Sequence, residues 1–98
     1  MASPELLLDA PLLLQQIREL GTIGRDAAQG GRTRIALTDD DKAGRDLLVR
    51  WMREAGLDVH IDHIGNIFGV LPAASVDGNG QPLMMGSHID TVRHAGAL

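Results

Sequence analysis

Near the end of the chain a histidine and an aspartate, His88 and Asp90, stand two residues apart in the run MGSHIDTV, residues 85–92. In an extended chain, side chains two apart point to the same face. A histidine that binds a metal ion while a carboxylate orients its ring is a recurrent arrangement at metal sites. Taken alone the pair is a weak signal, because it fits a polar strand end equally well. His88 is therefore a candidate metal ligand and Asp90 a candidate orienting acid.

The other histidines and one loop are weaker candidates. His60 alternates with acidic residues on a strand face that we expect to be solvated, and His63 precedes a turn. His94 is compatible with a second ligand or a substrate contact, although an exposed loop residue is favoured. Thr33 and Arg34 follow a glycine pair, where a substrate or subunit contact competes with the favoured interpretation, an ordinary loop.

Composition excludes several other chemistries. The chain has no cysteine, so it offers neither a disulfide framework nor a thiolate zinc site. It also lacks the motifs of a serine nucleophile elbow and of a phosphate-binding P-loop. The net charge of -4 provides no basic patch for nucleic acid and no polybasic anchor for a membrane. Without a spanning apolar run or a convincing signal peptide, we expect a cytoplasmic protein.

Hydrophobic spacing predicts two helices. The first covers residues 10–20, with Asp9 as its N-cap. Residues 21–37 are rich in glycine and form a loop or short turns, either functional or partly disordered. The second helix begins at Thr38, whose spacing to an acidic residue three positions on is that of a capping box. It ends before Gly56, a natural left-handed terminator.

Three strands are predicted after the helices. Residues 57–62 alternate between apolar and polar side chains, and residues 67–71 follow a Gly-Asn turn, so together they indicate a hairpin. A further turn covers residues 77–80. The continuous apolar run 82–86 is typical of a strand covered on both faces. The sequence therefore predicts an α/β fold, with two helices against a sheet of three or more strands.

Several segments together resemble a known enzyme family. They are GGRTR at residues 30–34, WMREAGL at residues 51–57, the Asp-x-x-Gly-Asn turn at residues 62–66, and GSHIDTV at residues 86–92. With them the chain resembles, over residues 12–98, the N-carbamoyl-L-amino-acid hydrolases. Allantoate amidohydrolases and β-ureidopropionases are close relatives. All lie within the larger group of two-metal aminopeptidase- and aminoacylase-like enzymes.

The resemblance implies roles for the candidate residues. His88 would be a ligand to one of two divalent ions, zinc first, with manganese or cobalt as alternatives. Asp90 would hold its imidazole in place. The family pattern continues through two glycines, the first replaced here by Ala95, to a metal-bridging Asp that would follow Leu98. Residues 1–98 are thus expected to be a single amino-terminal segment of a zinc-peptidase-like catalytic domain with a mixed sheet.

The same resemblance implies a function for the full-length protein. A homodimer would hydrolyse an N-carbamoyl-L-amino acid to the L-amino acid, ammonia and carbon dioxide. The chain alone is expected to bind metal weakly at most and not to turn over substrate. Allantoate amidohydrolase, dipeptidase and aminoacylase activities are the alternatives within the same superfamily. An alternative from another class is a non-catalytic α/β module that self-associates through exposed apolar faces.

Overall fold

The computed structural model describes residues 8–72 and 81–96, along which lie two helices and one β-hairpin. The first helix, α1, spans Ala10–Gly21. It begins as predicted, because the Asp9 carboxylate accepts a hydrogen bond from the Leu12 amide at 3.0 Å. Pro11 lies in the first turn, where the missing amide hydrogen has no helical partner to lose. The predicted N-cap is therefore confirmed.

The second helix, α2, spans Asp39–Glu54 and also begins at its predicted cap. The Thr38 hydroxyl accepts from the Asp41 amide at 3.3 Å. The Asp41 carboxylate accepts from the Leu37 amide at 3.0 Å, so the reciprocal bond reaches one residue further back than in a usual capping box. After the helix, Gly56 has a φ of +83°, the left-handed conformation predicted for it.

The two strands form an antiparallel hairpin, β1 at Asp58–Ile61 and β2 at Ile67–Val70. Its turn is held by one side chain. The Asp62 carboxylate accepts from the amides of Ile64 and Asn66, at 3.1 and 2.8 Å, and from the Asn66 side chain at 2.8 Å. The hairpin predicted from the alternating pattern and the Gly-Asn pair is therefore confirmed.

Helix α2 packs against both strands of the hairpin. Gly69 permits the close approach, because a Cβ there would lie 2.8 Å from the Leu57 side chain and 3.1 Å from the Met52 sulfur. The Arg45 guanidinium donates to the carbonyl of Gly65 and so ties α2 to the hairpin turn. Neither helix within the described ranges is long and apolar enough to cross a bilayer.

The α/β class is confirmed, but three finer expectations are wrong. Residues 82–86 form no strand, and the described residues contain a two-stranded antiparallel sheet rather than a mixed sheet of three or more strands. A strand is stabilised by a hydrogen-bonded neighbour, and no described backbone pairs with this run. Helix α1 does not pack on the sheet either. The turn predicted at 77–80 lies outside the described residues.

The chain exposes much of its apolar surface. Among described apolar side chains only Leu47, on α2, is buried, at 9 % exposure. The apolar run that was predicted to be covered instead exposes Leu83, Met84 and Met85 at 89, 80 and 88 %. Helix α1 is linked to α2 by a half-exposed ion pair between Glu19 and Arg50, 3.6 Å apart, which adds little stability.

Candidate functional site

The structure brings His88 and Asp90 into contact. The His88 Nδ1 lies 2.9 Å from the Asp90 carbonyl oxygen and 3.3 Å from its Oδ1. Both oxygens only accept hydrogen bonds, so the tautomer that fits them carries its proton on Nδ1. The Nε2 lone pair of the neutral ring is then free for a Lewis acid. The imidazole is 78 % exposed and therefore accessible.

The two residues line an open cleft of about 500 Å³ between α2, the hairpin turn and the segment 85–90. Polar side chains from each of these elements face it. They are Asp41 and Arg45 from α2, Asn66 from the turn, and Ser87, His88 and Asp90 from the segment. The cleft therefore places the candidate ligand beside groups of both charges.

The residues fit one ligand position of a metal site. A catalytic zinc takes about three protein ligands. Within the ranges that the structure describes, no group of three or more histidine and acidic side chains could hold an ion. His88 has the donor atom and the orienting carboxylate of one ligand. The described residues thus fit one ligand position of a metal site and do not supply the complete set of ligands.

The remaining histidines lie elsewhere. His60 and His63 are exposed on the hairpin, as expected, and neither lines the cleft. The His94 side chain is 67 % exposed and its Nδ1 lies 3.9 Å from Asp26 Oδ2. It is a loop residue, in agreement with the favoured interpretation, and the structure does not bring it to the cleft.

The loop that precedes α2 runs beside the segment that follows Asp90. Arg32 and Ala95 exchange two backbone hydrogen bonds, of 3.1 and 2.8 Å. Arg34 and Thr91 are joined twice: the Thr91 amide donates to the Arg34 carbonyl, and the Arg34 amide donates to the Thr91 hydroxyl, both at 2.7 Å. The predicted loop at 21–37 is therefore tied to the candidate site.

Gly31 makes this close approach geometrically feasible. Its φ is +67°, and a Cβ there would collide with the Ala95 carbonyl oxygen. Its neighbour Gly30 has a similar φ of +73° but faces open space. The amide of His94 also donates to the Thr33 hydroxyl at 2.8 Å. The glycine pair thus serves two purposes, a left-handed turn and a close contact between two chain segments.

Arg34 was expected to lie in an ordinary loop, but the structure places its side chain against the candidate site. Its side chain is only 4 % exposed. Its Nε donates to the Ile89 carbonyl, and its Nη1 donates to the carbonyls of Leu20 and Ile23, each at 2.8 Å. Burial lowers the pKa of Arg34, and nearby Arg32 lowers it further, although an arginine stays charged at neutral pH. The only sequence signal was its place after the glycine pair.

Two carboxylates with lowered pKa values stabilise turns outside the cleft. Backbone amides of Gln29 and Ala28 lower the pKa of Asp26. The side-chain amide of Asn66 is the main cause of the lowered pKa of Asp62. Both groups are engaged in local hydrogen bonds and are ionised at neutral pH, so they serve structure and not proton transfer.

Comparison with known proteins identifies relatives over most of the chain, although no protein-family model matches it. An N-carbamoyl-L-amino acid amidohydrolase from Geobacillus stearothermophilus is 34 % identical over 92 residues, which are 94 % of this chain and 22 % of that protein. An allantoate deiminase 1 from Glycine max is 34 % identical over 95 % of this chain and 18 % of its own length. A crystal structure of a hydantoinase/carbamoylase family amidase from Burkholderia ambifaria superposes with a TM-score of 0.83 at 38 % identity, covering 92 % of this chain and 22 % of that one.

In sequence and in fold, the chain is therefore homologous to a segment of proteins named amidohydrolases or amidases. More particularly, its homologues are N-carbamoyl-L-amino-acid amidohydrolases and allantoate deiminases, as the sequence resemblance predicted. The chain spans about a fifth of the length of the curated relatives it matches.

Proposed function

We propose that this chain forms part of the catalytic domain of a metal-dependent amidohydrolase. His88 would be a ligand to one of two divalent ions through Nε2, and Asp90 would hold the ring. The supporting observation is the pair of contacts from His88 Nδ1 to Asp90 oxygens, at 2.9 and 3.3 Å. Zinc suits a neutral imidazole, with manganese or cobalt as alternatives. A bound ion of this kind polarises a carbonyl and lowers the pKa of water.

The proposed substrate of the whole protein is an N-carbamoyl-L-amino acid, hydrolysed at a linear amide bond to the L-amino acid, ammonia and carbon dioxide. The names of three relatives, at 34 to 42 % identity, support it. The alternative is an allantoate- or ureidoglycolate-type substrate, supported by two plant relatives. A homodimer remains part of the proposal from the sequence resemblance alone. Ammonia release from the two substrate types, measured on the complete protein that carries this chain, decides between them.

For the 98-residue chain by itself we propose weak zinc binding and no turnover. The reason is the ligand count, since the described residues contribute one ligand with its orienting acid where about three ligands are needed. Robust ammonia release from an N-carbamoyl-L-amino acid by the purified chain contradicts this part of the proposal.

The role of His88 is tested in a complete enzyme. The matching segment of the Geobacillus relative is replaced by this chain, and zinc-dependent ammonia release is measured. His88→Ala is expected to abolish activity, and Asp90→Asn to lower zinc affinity or activity by about 10- to 100-fold, as at other supported ligands. His63→Ala, on the exposed hairpin, is the matched control. A chimera that remains fully active with His88→Ala overturns the proposal.

A second candidate function is self-association without catalysis. The observation that favours it is the exposed run of Leu83, Met84 and Met85, whose side chains are at least 80 % accessible. Sedimentation velocity over a range of concentrations tests it. A mass that rises with concentration and returns to that of a monomer in Met84→Lys supports association through this run, and a constant monomer mass contradicts it.

A further inference from the structure

The segment that carries the candidate ligand, residues 85–91, is hydrogen-bonded to one residue of the loop before α2. Within the described ranges, every hydrogen bond from residues 85–91 to another part of the chain goes to Arg34. The Ile89 carbonyl accepts from Arg34 Nε at 2.8 Å, and Thr91 makes two bonds of 2.7 Å to the Arg34 backbone. These contacts bracket Asp90 from both sides.

Arg34 is itself firmly held. Its Nη1 donates to the carbonyls of Leu20 and Ile23 at the carboxyl end of α1, where a helix favours positive charge. No carboxylate of the described residues lies within 4.0 Å of its guanidinium. The guanidinium therefore donates to carbonyl oxygens in charge-assisted hydrogen bonds, and the carboxylates of Asp40 and Asp41 stabilise its charge from a longer distance. The side chain thus joins α1 to the candidate site.

Helix α2 closes the other side of this arrangement at a glycine. A Cβ on Gly44 would lie 3.2 Å from Arg34 Cδ and 3.6 Å from Ile89 Cδ1. A side chain at this position therefore requires the Arg34 stem to shift by a few tenths of an ångström, whereas its distance to Ile89 is an ordinary van der Waals contact. The buried Gly44 therefore gives Arg34 the space to reach the Ile89 carbonyl.

We propose that Arg34 is a positioning residue for the metal ligand: it fixes the backbone at Ile89 and Thr91 and thereby the contact between His88 and Asp90. This inference rests on the proposed function of His88. The His88 and Asp90 side chains are two residues apart, so their contact depends on the torsion angles at Ile89. Only a guanidinium donates from Nε and Nη1 at once in a fixed geometry, and the ammonium of lysine cannot.

The test compares Arg34→Lys with Arg32→Lys, the same change two residues away in a side chain whose buried Nε has no hydrogen-bond partner. Two quantities are measured by NMR on the full 98-residue chain. One is amide hydrogen exchange at Thr91 and at the hairpin strands. The other is the affinity for Zn²⁺ alone, followed at the His88 imidazole.

In Arg34→Lys the two bonds between Thr91 and the Arg34 backbone are kept, but the charge-assisted bond to the nearby Ile89 carbonyl is lost. Because that loss loosens the backbone next to Thr91, we expect Thr91 to exchange roughly tenfold faster and the zinc affinity at His88 to fall about tenfold, as for the loss of one or two such bonds. Exchange in the hairpin strands stays unchanged, as it does in Arg32→Lys. A general structural role predicts instead that the hairpin amides and Thr91 lose protection together, and that result overturns the proposal.

Gly44→Ala is a second variant that leaves Arg34 intact. Alanine is a better helix former than glycine, so α2 should not lose stability through propensity. We nevertheless expect zinc affinity at His88 to fall and Thr91 exchange to accelerate, because the new Cβ requires the Arg34 stem to shift by a few tenths of an ångström. Unchanged Thr91 exchange and zinc affinity in both Arg34→Lys and Gly44→Ala refute the positioning role.

A His88→Ala chain separates the two proposals. If zinc binding is indifferent to His88, the proposed ligand is wrong, while exchange at Thr91 still decides whether Arg34 fixes this backbone. If His88→Ala abolishes binding and Arg34→Lys leaves it intact, the ligand stands and the positioning role of Arg34 fails.

Discussion

The two adjacent glycines before Arg32 offer a controlled measurement of how the loop contacts the segment after the candidate site. Gly30 and Gly31 have nearly the same left-handed backbone, with φ values of +73° and +67°. A Cβ at Gly30 meets nothing within 4 Å, whereas a Cβ at Gly31 collides with the Ala95 carbonyl oxygen. Alanine strains the backbone at both positions but adds a collision only at Gly31. Comparison of the two variants therefore separates the effect of the collision from that of the backbone strain.

The expected magnitudes follow from these contacts. A left-handed conformation costs alanine about 1 kcal/mol at either position. At Gly31 the collision also displaces Ala95 and disrupts both of its backbone bonds to Arg32, at about 1 kcal/mol each. Gly31→Ala should thus lower the free energy of local opening by about 2 kcal/mol more than Gly30→Ala does. This difference corresponds to roughly thirtyfold in the equilibrium constant for opening.

Amide hydrogen exchange at Arg32 and Ala95, whose amides donate the two bonds, measures this difference. Exchange at both should be roughly thirtyfold faster in Gly31→Ala than in Gly30→Ala, while amides of the β1–β2 hairpin behave alike in the two variants. Equal exchange at Arg32 and Ala95 in the two variants would contradict this prediction, since it would mean that the loop does not contact the segment after Asp90.

Two further predictions concern the scaffold. Leu47→Ala should lower the free energy of unfolding by about 2–3 kcal/mol, because Leu47 is the buried apolar side chain of α2. Leu13→Ala, on the exposed face of α1, is the control and should change it by less than about 0.5 kcal/mol. Urea unfolding measures both values. The pKa of Asp62 is lowered from 3.8, mainly by the Asn66 side chain, so its stabilisation of the turn is present above pH 3.8 and lost as pH falls through the lower folded value. Amide exchange at Asn66 should show this loss, and Asp62→Asn should remove the pH dependence.

The elements that the sequence predicted well are those whose determinants are local. The caps at Asp9 and Thr38 bond to amides three residues away, and the Asp62 turn closes within four residues. Such contacts depend on residue type at fixed spacing, which a sequence displays directly. The contact between His88 and Asp90, two residues apart, could be predicted from the sequence for the same reason. The proposal that His88 binds a metal gained its main support from the family resemblance.

The features that the sequence did not predict depend on distant partners. The apolar run at 82–86 has the composition of a buried strand, yet strand formation requires a neighbour, and none of the described backbone pairs with it. The hydrogen bond from Arg34 to Ile89 joins residues 55 positions apart. No periodic pattern marks such a contact, so a buried arginine in a glycine-rich loop resembled an ordinary surface residue.

The central claim is that His88 binds a metal through Nε2 while Asp90 holds Nδ1. The most direct measurement is the histidine nitrogen NMR spectrum of the ¹⁵N-labelled chain during a Zn²⁺ titration, with His88→Ala to assign the signals. We expect the His88 Nε2 signal to shift on zinc addition while Nδ1 keeps its proton, and the signals of His60, His63 and His94 to stay unchanged. Zinc bound at Nδ1 of His88, or at another histidine in preference, contradicts it.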